Sequence, residues 1–344
     1  MQFPKPQVLH NVIMIVTLWV CGSMALECQL NESGNPIKVA YTVLVDPNGP
    51  GNFRTVQQAV DSIPTPNSKW IRILIRSGVY QEKVVIPKTK PCIFLQGGGI
   101  DKTVIEYGDH EQTDTSATFS AFSDDIMAKD ITFKNFFNVP RSDELLESPA
   151  LAVRLYGDRY SFVNCSFEGL QDTIWDVMGR HYYKNCLIAG GIDFIWGSGQ
   201  SLFEGCTLNV TLGWYAPERD HGAITAQGRM TESDPGGFVF KGCTVTGKGK
   251  VLLGRAYGPY SRVIFHQSQL SDIVLPVGWD SWSFKGSESK MTYMESECTG
   301  VGARREGRVP WLKSAASNDV ANFTSLSYID PDGWLSRRPI PISP

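Results

Sequence analysis

One short pattern returns along the chain at uneven intervals, and few folds allow that. It reads x-x-aromatic-x-Asn/Gly-Cys-x-apolar, with copies YSFVNCSF (160–167), HYYKNCLI (181–188), SLFEGCTL (201–208) and FVFKGCTV (238–245). Weaker copies are IMAKDITF (126–133), VIFHQSQL (263–270) and MTYMESEC (291–298). The sixth position then holds Ile131, Cys165, Cys186, Cys206, Cys243, Ser268 and Ser296, at intervals of 34, 21, 20, 37, 25 and 28 residues. Apolar and polar residues alternate within the copies, which indicates strands, and turn residues fill the gaps. Helical periodicity nearly disappears after residue 65. Repeats that vary in length above a floor near 20 residues suit a parallel β-helix. There each coil stacks on the last and insertions become loops on one side. A β-sandwich gives no reason for the same residue types to recur at the same offset.

The amino-terminal part differs. In TVQQAVDSI (55–63), Val56, Ala59, Val60 and Ile63 share one helical face, and Pro64 closes the segment. A short helix there is expected to cap the exposed edge of the first coil. Strands are expected over 71–75 and 84–86. No linker marks a second domain, so residues 41–344 read as one β-helical domain after a short segment, 26–40.

Residues 1–25 read as a signal peptide. Lys5 is their one charged side chain, Val12–Cys21 is apolar apart from Thr17, and Ser23 and Ala25 supply small residues before the cut. The apolar run is about half of the ~20 residues that span a bilayer. The mature chain is therefore expected to be secreted and soluble, without a membrane segment. Lys plus Arg number 32 against 35 Asp plus Glu, so no basic excess exists to hold nucleic acid. Of eight cysteines, seven follow the expected cut, and an odd number cannot pair completely. No zinc-ligand spacing occurs, so neither metal nor cofactor is expected. Stacked Cys165, Cys186, Cys206 and Cys243 would point the same way, poor geometry for disulfides, and are expected to be buried thiols. Cys28, Cys92 and Cys298 stay open. Sequons at Asn31, Asn209 and Asn322 read as surface sites, whereas Asn164 lies in an apolar strand pattern and reads as unmodified.

The repeat carries a chemical consequence. Asp172 follows Cys165 by seven residues, and Asp193 follows Cys186 by seven. Stacked cysteines would stack the aspartates too, with Cα atoms roughly 5 Å apart. Two carboxylates that close resist ionising together, so one is expected to hold a proton while the other stays anionic. That division suits a nucleophile beside a proton donor. Apolar and aromatic neighbours flank both: Ile174 and Trp175 near Asp172, and Gly-Gly-Ile-Asp-Phe-Ile-Trp-Gly (190–197) around Asp193.

At these residues the chain resembles the plant pectin methylesterases (pectinesterases). The resemblance runs from Tyr41 to about Trp334. It rests on Gly78–Glu82 (GVYQE), Gln171–Thr173 (QDT), Asp193–Gly197 (DFIWG), Ala223–Arg229 (AITAQGR) and Leu253–Arg255 (LGR), in that order. It implies an all-β, right-handed parallel β-helix that hydrolyses methyl esters of pectin (polygalacturonan) in the cell wall, releasing methanol. By similarity, Asp193 is the nucleophile, Asp172 the acid and base, Gln171 an oxyanion donor, and Arg255 the partner that keeps Asp193 charged. Tyr257, Trp196, Trp175 and Tyr80 are expected to offer flat faces to the sugars. Trp214, Tyr215, Trp279 and Trp282 are further aromatic candidates for that groove. The resemblance also implies a monomer, with a proteinaceous pectinesterase inhibitor as a partner, and the form expected here is one without the large inhibitory pro-region of many relatives.

Two positions depart from the family. Its usual Gln-Ala-Val-Ala-Leu-Arg is here Pro149-Ala-Leu-Ala-Val-Arg154, so proline replaces a second oxyanion glutamine and brings no amide donor. Losing one such donor typically costs about 10²–10³ in rate. A weakened esterase is expected, with Ser148 or a water left to fill the gap, and restoring Gln at 149 should raise turnover. The family's Arg-Pro-Trp is here Arg255-Ala-Tyr257, which keeps an aromatic face. The rival reading is a catalytically silent pectin-binding homologue. A lyase would need clustered Asp for calcium, and a galacturonase would need carboxylates spaced around a water. No Gly-x-Ser-x-Gly exists, and His110, His181, His221 and His266 form no triad pattern.

Overall fold

The computed structural model describes Cys28, residues 38–138, 147–314 and 317–340, and Ile342. The expected signal peptide and the Asn31 sequon lie outside the described residues. The chain forms a parallel β-helix. One sheet of ten strands runs from Tyr41–Val45 to Thr292–Ser296, and two sheets of eight complete the coil, every pairing being parallel. One full coil visits the sheets in turn: Tyr160–Val163, Ser166–Glu168, Ile174–Asp176, and then Arg180–Lys184 back in the first.

The repeat explains itself in this geometry. Its third position points inward and builds a stack of rings, Phe162, Tyr183, Phe203, Phe240 and Phe265, with successive centroids 5.1, 4.3, 4.6 and 4.5 Å apart. Its fifth position is the bend from the first sheet to the second. Asn164, Asn185, Gly205 and Gly242 have φ of 51, 52, 63 and 61° there, a left-handed backbone that Asn and Gly adopt at least cost. Asn164 is therefore an exposed bend residue, not part of a strand as its apolar surroundings imply. The sixth position turns inward again. Cys186, Cys206 and Cys243 each point Sγ at the carbonyl of the ladder ring one coil back, Phe162, Tyr183 and Phe203. Cys165, Cys186, Cys206 and Cys243 are all buried thiols.

The last repeat is read two residues out of register in the sequence. His266 pairs with Ser296, so Cys298, not Ser296, stacks on Ser268, and its Sγ points at Phe265 O as the ladder requires. Tyr293 looks like the ladder aromatic but pairs with Val263, and Glu295 falls on the ring position after Phe265. Glu295 is 1 % exposed. Arg308 Nε meets its Oε1 at 2.8 Å and Trp279 Nε1 donates to the same oxygen at 2.9 Å, so the aromatic stack ends on a neutralised charge.

At the other end, helix α1 (Val56–Ser62) buries Val56, Ala59 and Val60 against the first strands. Thr55 accepts from Gln58 N, and the Glu82 carboxylate takes Val56 N and Gln57 N at 2.7 and 2.9 Å, a favourable place for an anion. Cys28 and Cys92, open in the sequence, form a disulfide. The carboxy-terminal segment then runs back along the outside of the ten-stranded sheet. Val320, Tyr328, Ile329, Trp334 and Leu335 cover Tyr182, Leu202, Val239 and Ile264, and Ile340 and Ile342 reach Cys28, Trp70 and Cys92.

Candidate active site

The site sits on the third sheet, where the coil length is constant across the two aspartates. Gln171 bridges Ile192, Ile174 pairs with Ile195 and Trp175 with Trp196, so Asp172 lies beside Asp193 in the next coil. Asp172 N donates to Ile192 O at 3.0 Å. Both aspartates occupy the left-handed region, with φ of 62 and 46°. Asp is among the few side chains that tolerate this, and such backbone collects at functional sites.

Arg255 lies two strands beyond Asp193, on Val251–Ala256. It grips Asp193 with both forks: Nε donates to Oδ1 at 2.7 Å and Nη2 donates to Oδ2. Its guanidinium lies 4.2 Å over the ring of Trp282, which fixes its plane. Asp193 is 6 % exposed, and burial pushes its carboxyl up, opposed by Arg255 and by the more distant charge of Arg219. Among the described residues Asp172 has no such clamp. Burial first, and the Asp193 charge second, push it up to about 8. Burial and the neighbouring charge thus favour a proton on Asp172, and the Arg255 clamp favours the negative charge on Asp193.

Around the pair, Trp175 stacks on Trp196 with centroids 4.3 Å apart, and Tyr257 meets Trp196 edge to face at 5.9 Å. Tyr257 is 46 % exposed and also stacks on Trp282, so Trp175, Trp196, Tyr257 and Trp282 form one aromatic band beside the aspartates. Tyr80 is not brought there. It is 4 % exposed, packs in the coil interior and donates its hydroxyl to Arg76 O, so it has no face left for a sugar. Trp279 is likewise interior, held by Glu295.

The segment before Val153–Leu155 borders the pair from the other side. Ala150 N donates to Gln171 O at 3.3 Å, which sets Pro149 next to Gln171. The backbone of Ser148 is held by Asn138, whose amide takes its N–H and donates to its carbonyl. Two charged residues went unnoticed in the sequence: Glu147, and Arg219, whose Nε donates to Glu147 Oε2 at 2.5 Å. They are 72 residues apart, and no local pattern links them. Among the described residues no group of three or more His, Cys, Asp or Glu could hold a metal.

The fold and sequence together define a carboxylic ester hydrolase built on a parallel β-helix. Residues 42–332 match the pectinesterase family model. Putative pectinesterase 10 of Arabidopsis thaliana is 54 % identical over 89 % of this chain and 90 % of its own length. Probable pectinesterase 55 of the same plant is 43 % identical, covering 87 and 92 %. The solved structure of pectin methylesterase from carrot superposes with a TM-score of 0.79 at 30 % identity, covering 88 % of this chain and 97 % of that one. The chain belongs to the pectinesterase family.

Proposed function

We propose that the protein removes methyl esters from pectin through a covalent intermediate on Asp193. The carboxylate of Asp193 adds to the ester carbonyl carbon, and the carbonyl electron pair moves to oxygen. When that pair returns, the bond to methoxide breaks, and the methoxide takes the Asp172 proton and leaves as methanol. Asp172, now anionic, draws a proton from water as the water attacks the acyl carbon. Asp193 departs as carboxylate and the galacturonic acid is released. Gln171 donates to the oxyanion in both addition steps. Tyr257, the exposed member of the aromatic band, meets the sugars, while Trp196 is buried and Trp175 lies between Trp196 and the Arg154 guanidinium, so these two back the band rather than offer free faces.

The observation that carries this reading is the asymmetry of the pair: Asp193 is clamped by Arg255 while Asp172 is pushed up to about 8. The rival, a silent pectin binder, draws its support from Pro149. Methanol release from esterified pectin separates them. The parent should release methanol and Asp193→Ala should not; a parent as silent as the variant favours the binder. We further place the mature protein outside the cell, in the wall, as a monomer open to a proteinaceous inhibitor. No helix among the described residues is long and apolar enough to cross a membrane.

A further inference from the structure

Pro149 leaves one side of the reaction centre without the amide donor that a glutamine would supply, and the structure carries a cation at that edge. Glu147, two residues before Pro149, binds Arg219 through both carboxylate oxygens: Oε2 to Nε at 2.5 Å, and Oε1 to Nη2. In the third sheet, Val153–Leu155 neighbours Ile174–Asp176, then Ile192–Gly197, then Gly222–Gln227. Glu147 precedes the first of these strands and Arg219 precedes the fourth. The ion pair therefore bridges the two coils that carry Asp172 and Asp193, a span of about 14 Å at ordinary strand spacing. The loop that bears Arg219 is anchored beside the nucleophile's own coil. Thr211 N donates to Gly190 O at 2.8 Å, and Leu212 packs close against Gly191, two residues before Asp193.

Two details favour a working role for this cation. Its Nη1 has no partner among the described residues, so a donor remains after Glu147 is satisfied. Its charge is also felt at Asp193, where it opposes the upward push of burial on that carboxyl.

We infer that Arg219, held by Glu147, replaces the donor lost at Pro149 and stabilises the oxyanion that forms on the carbonyl attached to Asp193. This rests on the esterase mechanism above. In the addition step the carbonyl electron pair moves to oxygen, and an Arg219 N–H donates to that oxygen until the pair returns and methoxide departs. A charged donor is stronger than the neutral amide it replaces. Glu147 acts only through Arg219 and is a positioning residue.

A double-mutant cycle tests this, with kcat and KM measured for methanol release from highly esterified pectin. Arg219→Ala should lower kcat about 10²-fold with KM within about twofold, the usual cost of one oxyanion donor. Pro149→Gln should raise the parent less than about threefold, because its place is already filled, but should recover at least about tenfold in the Arg219→Ala background. Glu147→Ala should lower kcat in the parent and not in the Pro149→Gln background, a pattern that a merely structural salt bridge would not give. The inference is overturned if Arg219→Ala leaves kcat unchanged, or if Pro149→Gln has the same effect in both backgrounds. It is also overturned if Arg219→Ala acts on KM alone, in proportion to the free carboxylates of the polymer, which would make Arg219 a uronate-binding residue. A parent that needs Pro149→Gln to release any methanol overturns it too. Asp193→Ala isolates the premise: full methanol release by that variant sinks the esterase mechanism itself, whereas a dead Asp193→Ala with an indifferent Arg219 sinks only this inference.

Discussion

Asp172 carries two testable consequences of being buried beside an anion. As the proton donor it must be protonated, so kcat/KM for methanol release is expected to fall on the alkaline side with an apparent pKa near the value of about 8. A pH–rate profile that stays flat to pH 9 or beyond would remove Asp172 from that role. The same shift acts on stability. The folded value lies above the unfolded one of 3.8, so between the two the native state binds more protons than the unfolded chain. Stability is then full below about pH 4 and drains away as pH rises towards 8. Asp172→Asn should match the parent's melting temperature near pH 4, exceed it increasingly up to pH 8, and lose methanol release throughout. Calorimetry across that range checks the crossover. The stacking of the aspartates was legible in the sequence because both lie at one offset from a repeated cysteine. Glu147–Arg219 was not, because that contact depends on how two long insertions fold over the sheet.

At the level of strands and coils, the ladder imposes a size limit. Ser268 already occupies the cysteine register and donates its hydroxyl to Phe240 O, as the cysteines do to their own carbonyls. Cys243→Ser should therefore cost no more than about 1 kcal/mol, the scale of one buried hydrogen bond. Cys243→Leu forces a branched side chain into the buried column between Cys206 and Ser268 and should cost about 1–3 kcal/mol by overpacking. Urea midpoints of the two variants give the comparison, and equal losses would mean the register is not sterically tight. The repeat was readable wherever an aromatic, an Asn or Gly and a cysteine coincided. It failed at the last coil because Tyr293 imitates the ladder ring while Glu295 occupies its place. It misled at Asn164, since a bend one residue long leaves no mark on the apolar pattern around it. Tyr80 failed differently: alternation says that a residue has a buried face, but not that a particular aromatic is wholly interior.

Across the whole molecule, the carboxy-terminal segment is joined to early coils by charge as well as by apolar contact. Asp332 takes Arg180 Nη1 at 2.7 Å. Arg338, fully buried, lies 4.3 Å over Trp334 and 5.1 Å over Trp70, and meets Asp125 at 3.2 Å. Arg338→Ala should cost about 3 kcal/mol, the lower range for breaking a buried pair. It should also speed amide exchange in Ile71–Ile75 and Ile93–Gln96, far from position 338 in sequence; unchanged exchange there would mean the segment merely rests on the sheet. Stacked coils that touch only their neighbours can fray from either end, like a rope with cut ends. Here the tail is lashed back over the opening turns, so neither end can loosen alone. Heat should therefore undo this molecule in one step, and a protease that cuts the lashing should free both ends at once.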